Sequence, residues 1–102
     1  MRAVGLSDLD AAARALLAVP KDRWSVTAER LIQEAHIADL WRKRFGTAHP
    51  NGGTGSLYAQ AALGQAVSSS QCSAQYCSAL GVVLCALTRW RNRVGPTKDH
   101  ET

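Results

Sequence analysis

The apolar positions fall into four helical segments. Leu9, Ala12, Ala13, Leu16 and Leu17 recur at the three- and four-residue spacing of a single helix face. Ser7 stands ahead of them as an N-cap, Asp8 and Asp10 put negative charge in the first turn, and Pro20 ends the segment. A second, longer helix opens between Asp22 and Ser25 and runs to Phe45, where Gly46 is placed to close it. The run Thr47–Gly55, TAHPNGGTG, reads as a loop from its His-Pro and Asn-Gly steps and its glycines. Ser56 can cap a short alanine-rich helix reaching about Val67, and Ser68–Ser73 is a polar connector. A fourth helix spans about Ser73 to Arg93. No segment alternates with period two over the length of a strand. The predicted fold is all-α: a small bundle of about four helices with a helical hairpin and a Gly-rich central loop. Residues 1–94 make a single helical domain, followed by a flexible C-terminal tail over 95–102.

The faces of the two long helices carry the functional expectations. On the second helix, Trp24, Ala28, Leu31, Ala35, Ala38 and Phe45 line one side as a core stripe. Val26, Ile37, Leu40 and Trp41 lie on roughly the opposite side, interrupted by Arg30, Gln33 and Arg44. Two readings fit: neighbouring helices sandwich this one, or the second face is a self-association surface, where aromatic and arginine anchors are enriched. On the fourth helix, Tyr76, Leu80, Val83, Leu87 and Trp90 are spaced 4, 3, 4 and 3, the seam that packs helices side by side. Its opposite face holds Ser78, Gly81, Cys85, Thr88 and Asn92, small enough for a second helix to approach. Such a two-sided uncharged helix suits a subunit of a ring as well as the centre of a monomer. These nine face residues, Val26 through Trp41 and Tyr76 through Trp90, are the candidate oligomer or partner interface.

Charge sharpens this picture more than composition does. The chain has 102 residues, 46% hydrophobic and 20% charged, with a net charge of +4, which excludes a disordered solvating tail. Its distribution is uneven: eight basic and six acidic residues lie between Met1 and Arg44, and none at all between Phe45 and Thr88. A 44-residue stretch without formal charge implies cover, from the rest of the fold or from another copy. Two basic clusters bracket it, Arg42-Lys43-Arg44 and Arg89, Arg91 and Arg93. Each closes a helix, where positive charge suits the dipole. If the helices converge, the two clusters form one phosphate-facing patch of the kind that binds duplex DNA without sequence preference.

Other chemistry finds little support. Cys72, Cys77 and Cys85 are spaced C-x4-C-x7-C, without the paired C-x2-C of a structural zinc site, so no metal and no cofactor is expected. Cys77 and Cys85 read as small apolar residues of a hydrophobic helix. No signature of nucleophilic catalysis surrounds any cysteine. The loop Asn51–Ser56 has no lysine after its last glycine and no strand before it, which leaves a flexible turn or an anion site at a helix start. There is no signal-peptide pattern and no apolar run long enough to span a membrane, so a cytoplasmic, soluble protein is expected.

Three stretches carry a resemblance: RAVGLSDLDAAARALLAVP (Arg2–Pro20), AERLIQEAHIADLWRKRFGTAHPNGGTGSL (Ala28–Leu57) and YCSALGVVLCAL (Tyr76–Leu87). Together they resemble the small terminase subunits of gene transfer agents, the phage-like particles of Rhodobacter-type alphaproteobacteria. The resemblance implies a helical, homo-oligomeric, non-enzymatic factor that brings double-stranded DNA to the large terminase subunit, which supplies the ATPase and nuclease. The chain departs from site-recognising small terminases in lacking a convincing helix-turn-helix reader, which implies DNA contact without sequence preference. The other reading is a monomeric helical adaptor or regulator that binds protein and not DNA.

Overall fold

Four helices form where the stripes and stop signals place them. The computed structural model describes residues 3–50, 52–63 and 73–94. Its helices are α1 (Leu6–Leu17), α2 (Trp24–Phe45), α3 (Leu57–Ala62) and α4 (Ala74–Val94), with a 3-10 turn at Lys21–Arg23 leading into α2. Among the described residues there is no strand, and the fold is a small all-α bundle. Helix α3 ends at Ala62 with Leu63 as its C-cap, short of the expected Val67; residues 64–67, the Ser68–Cys72 part of the connector and the tail from Gly95 lie outside the described residues.

The helix ends follow local chemistry. Gly46 closes α2 in the left-handed conformation, φ 74°, with its N–H on the Arg42 carbonyl at 2.7 Å. Ser56 and Ser73 cap α3 and α4, their hydroxyls accepting from Ala59 N–H at 3.0 Å and Tyr76 N–H at 3.1 Å. The start of α1 differs from expectation. Ser7 is inside the helix, and Asp8, in its first turn, reaches back to accept from Gly5 N–H at 2.9 Å. The other carboxylate oxygen of Asp8 accepts from Tyr58 N–H at 2.9 Å. One buried side chain thus satisfies orphan donors at the starts of both α1 and α3.

Helix α4 lies against both α1 and α2, and α3 packs into the same core from the loop side. Leu16, Ile32, Leu57 and Val83 are fully buried, and Ala12, Ala13, Ala28, Ala79 and Ala86 let the helix axes approach closely. The ends of α1 and α4 are tied by Tyr76, whose hydroxyl donates to Asp10 at 2.6 Å while Arg14 holds the other Asp10 oxygen at 3.0 Å. That hydrogen bond, with burial, pushes the Tyr76 phenol pKa up.

This packing corrects one expectation. Tyr76, Val83 and Leu87 are at most 6% exposed, and Leu80 and Trp90 pack against the same cluster. The α4 seam is therefore the core of a single chain and offers nothing to another copy. The apolar faces of α1 and α2 already fill it, while elsewhere in the charge-free stretch Phe45, Tyr58, Leu63 and Leu84 stay exposed. The small-residue face of α4 points to solvent instead, and Cys77 and Cys85 are exposed rather than packed.

Candidate functional site

Helix α2 has one buried and one open face. Trp24, Ala28, Leu31, Ala35 and Ala38 are buried as expected, joined by Thr27, Ile32 and Asp39. Phe45 is not: the helix outruns the core, and its last residue rests on the Trp41 ring at 4.4 Å. On the far side Val26, Ile37 and Leu40 are 60%, 45% and 52% exposed, so α1 and α4 do not sandwich this helix. With Arg30, Gln33 and Arg44 they make an outward row, Val26-Arg30-Gln33-Ile37-Leu40-Arg44, at spacings of 4, 3, 4, 3 and 4. That is the a/d repeat of a helix prepared to meet another helix, over about 27 Å of axis at 1.5 Å per residue. Trp41 flanks the row half-buried, held edge-on by His49 at 5.1 Å.

The glycine loop braces this helix from the side. Gly53 and Gly55 are buried, with φ of 87° and 103°. A Cβ on Gly55 would stand 2.7 Å from the Asp39 Cα, and one on Gly53 would stand 2.6 Å from Gln60 Oε1. Gln60 in turn donates to Glu34 at 3.2 Å, tying α3 to α2. The loop is therefore a fitted strap, not a loose turn. Nor does α3 start offer an anion site, because Asp8 and Ser56 already take the N–H groups of Tyr58 and Ala59.

The basic residues divide into engaged and open ones. Asp39, 2% exposed, accepts from Arg42 and Lys43, each at 3.1 Å. Burial opposes its charge, but the hydrogen bonds from Lys43 and Arg42 lead a stronger opposing pull that holds its pKa down to about 2. Beside it, His36 meets the Trp90 ring at 5.2 Å, and burial first and positive charge second lower its pKa. Arg89 binds Glu29 at 3.0 Å and the Ser25 hydroxyl at 3.3 Å. Arg44, Arg91 and Arg93 are exposed with no ion pair among the described residues.

Arg89 meets α2 at Ser25 and Glu29, about 22–28 Å along the helix axis from Arg44, and Trp90 meets it at His36, about 12 Å from Arg44.

Two open grooves lie along the α2 row. One, about 570 Å³, is lined by Val19, Pro20, Arg23, Val26 and Arg30 among others. The second, about 450 Å³, is lined by Glu34, Ile37, Ala38, His49, Gly52 and Gln60. Among the described residues no three His, Cys, Asp or Glu side chains gather as metal ligands, and no helix is long and apolar enough to cross a membrane. The inward run of Asp8 and the seating of Gly55 were the features that residue spacing missed; neither has a local signal, since both depend on contacts across the fold.

Comparison with known proteins adds one finding. Residues 2–87 match the family model of a domain of unknown function, DUF7742. No curated protein and no solved structure matches the chain.

Proposed function

We propose that this chain, which belongs to the DUF7742 family, is a non-catalytic DNA-packaging adaptor of the small-terminase kind, working in the bacterial cytoplasm. The observation that carries the reading is the outward face of α2, where Val26, Ile37 and Leu40 stand open to solvent among Arg30, Gln33 and Arg44. In this reading that face holds the large terminase subunit. Double-stranded DNA is met by Arg44, Arg91 and Arg93, whose charges are open to solvent. Arg42, Lys43 and Arg89 contribute less, because phosphate has to compete with Asp39 and Glu29 for them. Homo-oligomers, which the resemblance implies, would have to form on surfaces other than the α4 seam.

Two measurements test this. Deleting the reading frame in a strain that makes phage-like particles should leave particles without DNA; normally filled particles would refute the packaging role. Duplex DNA titrated with the protein should bind weakly, and log affinity should fall with log salt at a slope of about −2.7 if three phosphates are neutralised. The second reading, an adaptor that never touches DNA, draws on the self-paired state of half the basic candidates. Absence of salt-sensitive DNA binding would favour it.

A further inference from the structure

The α2 row is apolar at its centre and cationic on both sides. Ile37 and Leu40 occupy the middle, with Arg30 before them and Arg44 after, about 21 Å apart along the axis. Neither arginine has an ion pair among the described residues, and in the groove at the Val26 end the charges of Arg23 and Asp22 offset each other and leave Arg30. Of the carboxylates on this helix, Glu29 is ion-paired with Arg89 and Asp39 with Arg42 and Lys43, while Glu34 is turned to the side of the row by its hydrogen bond from Gln60. The row therefore meets a covering helix with positive charge that this chain leaves unanswered.

A second copy answers it poorly. A parallel pair of α2 helices stacks Arg30 on Arg30 and Arg44 on Arg44, which is repulsive. An antiparallel pair that matches Ile37 with Leu40 sets Arg44 against Gln33 and gives Arg30 no carboxylate. Duplex DNA is also a poor match, because Ile37 and Leu40 would face phosphate oxygens. We propose that the outward row of α2 is a docking site for an acidic amphipathic helix of a partner protein, with apolar side chains over Ile37 and Leu40 and carboxylates against Arg30 and Arg44. The apolar centre supplies adhesion, and the charges at the rim fix direction and exclude basic helices. The inference rests on the adaptor reading of this face and takes Arg44 for the partner helix, which leaves Arg91 and Arg93 as the open arginines for DNA.

The test uses two synthetic helical peptides of 21 residues or so with the same leucine row, one carrying Glu and the other Lys opposite Arg30 and Arg44. Fluorescence anisotropy with the full chain should show the Glu peptide binding at least ten times more tightly than the Lys peptide. The double variant Arg30→Glu, Arg44→Glu should reverse that preference. Ile37→Asp, at a position already open to water, should weaken both peptides at least tenfold while the circular dichroism spectrum is unchanged. Equal binding of the two peptides, or a preference indifferent to charge reversal, overturns the proposal. So does a concentration-dependent dimer that Ile37→Asp dissolves, which gives the face to a second copy. Displacement of the Glu peptide by a short DNA duplex overturns it too, assigning the arginines to phosphate. Peptide selectivity with normal particle filling after gene deletion would keep this site and sink the packaging role; the reverse pair of results would do the opposite.

Discussion

Replacing Gly55 by alanine isolates what the glycine strap does. At φ 103° an L side chain is strained by its own backbone, which costs about 1–3 kcal/mol. The added Cβ would also stand 2.7 Å from both Cα and Cβ of Asp39 and 2.8 Å from its Oδ1. The nearest of these belongs to helix backbone and cannot swing aside, so the loop must lift, at a further cost of about 1–3 kcal/mol. Gly46 is the control. Its φ is 74°, yet nothing lies within 4 Å of an added Cβ, so Gly46→Ala incurs only the backbone strain. Gly55→Ala should therefore be less stable than Gly46→Ala by about 2 kcal/mol, or roughly 8–16 °C in melting temperature for a chain of this size. Urea and thermal unfolding followed by circular dichroism measure both. If the two variants lose the same stability within about 0.5 kcal/mol, the strap is not seated on α2 and the close approach argued above is wrong.

Further outcomes follow from Asp8, His36 and Asp39. Asp8→Ala strips the acceptor from Gly5 N–H and Tyr58 N–H at two helix starts and should cost about 2–4 kcal/mol. The exposed Asp22→Ala should stay within about 0.5 kcal/mol in the same urea titration, and a similar loss in both variants would refute the bridging role. Acid should destabilise the fold in two stages. His36 has a folded pKa below its unfolded value, so the unfolded chain takes up the proton first and stability begins to fall as pH drops through about 6.5. The carboxyl of Asp39, held at about 2 against 3.8, contributes stability above its unfolded pKa that is lost as pH falls from there through about 2. That second loss is on the order of 2 kcal/mol and should vanish in Asp39→Asn, while stability that rises on going from pH 6.5 to 5 would contradict the first.

Periodicity and end signals determined the helices except at the start of α1, where Ser7 reads as a cap but lies inside the helix. The stripe from Leu9 to Leu17, Gly46 after Phe45, and Ser56 and Ser73 as caps are local facts: a 3.6-residue period and unpaired N–H groups act over a turn or two wherever the chain sits. Which apolar face meets what is not local. The α4 row from Tyr76 to Trp90 and the α2 row from Val26 to Leu40 look alike in the sequence, since both present apolar residues at helix spacing. The fold buried the first against α1 and α2 and left the second open, because a 22-residue helix in a four-helix bundle has more surface than its neighbours can cover. The same holds for charge. Arg42, Lys43 and Arg44 are adjacent in the sequence, yet among the described residues only Arg44 has no carboxylate partner and lies over the Phe45 ring, because Asp39 turns inward beneath the glycine strap and draws the other two over it.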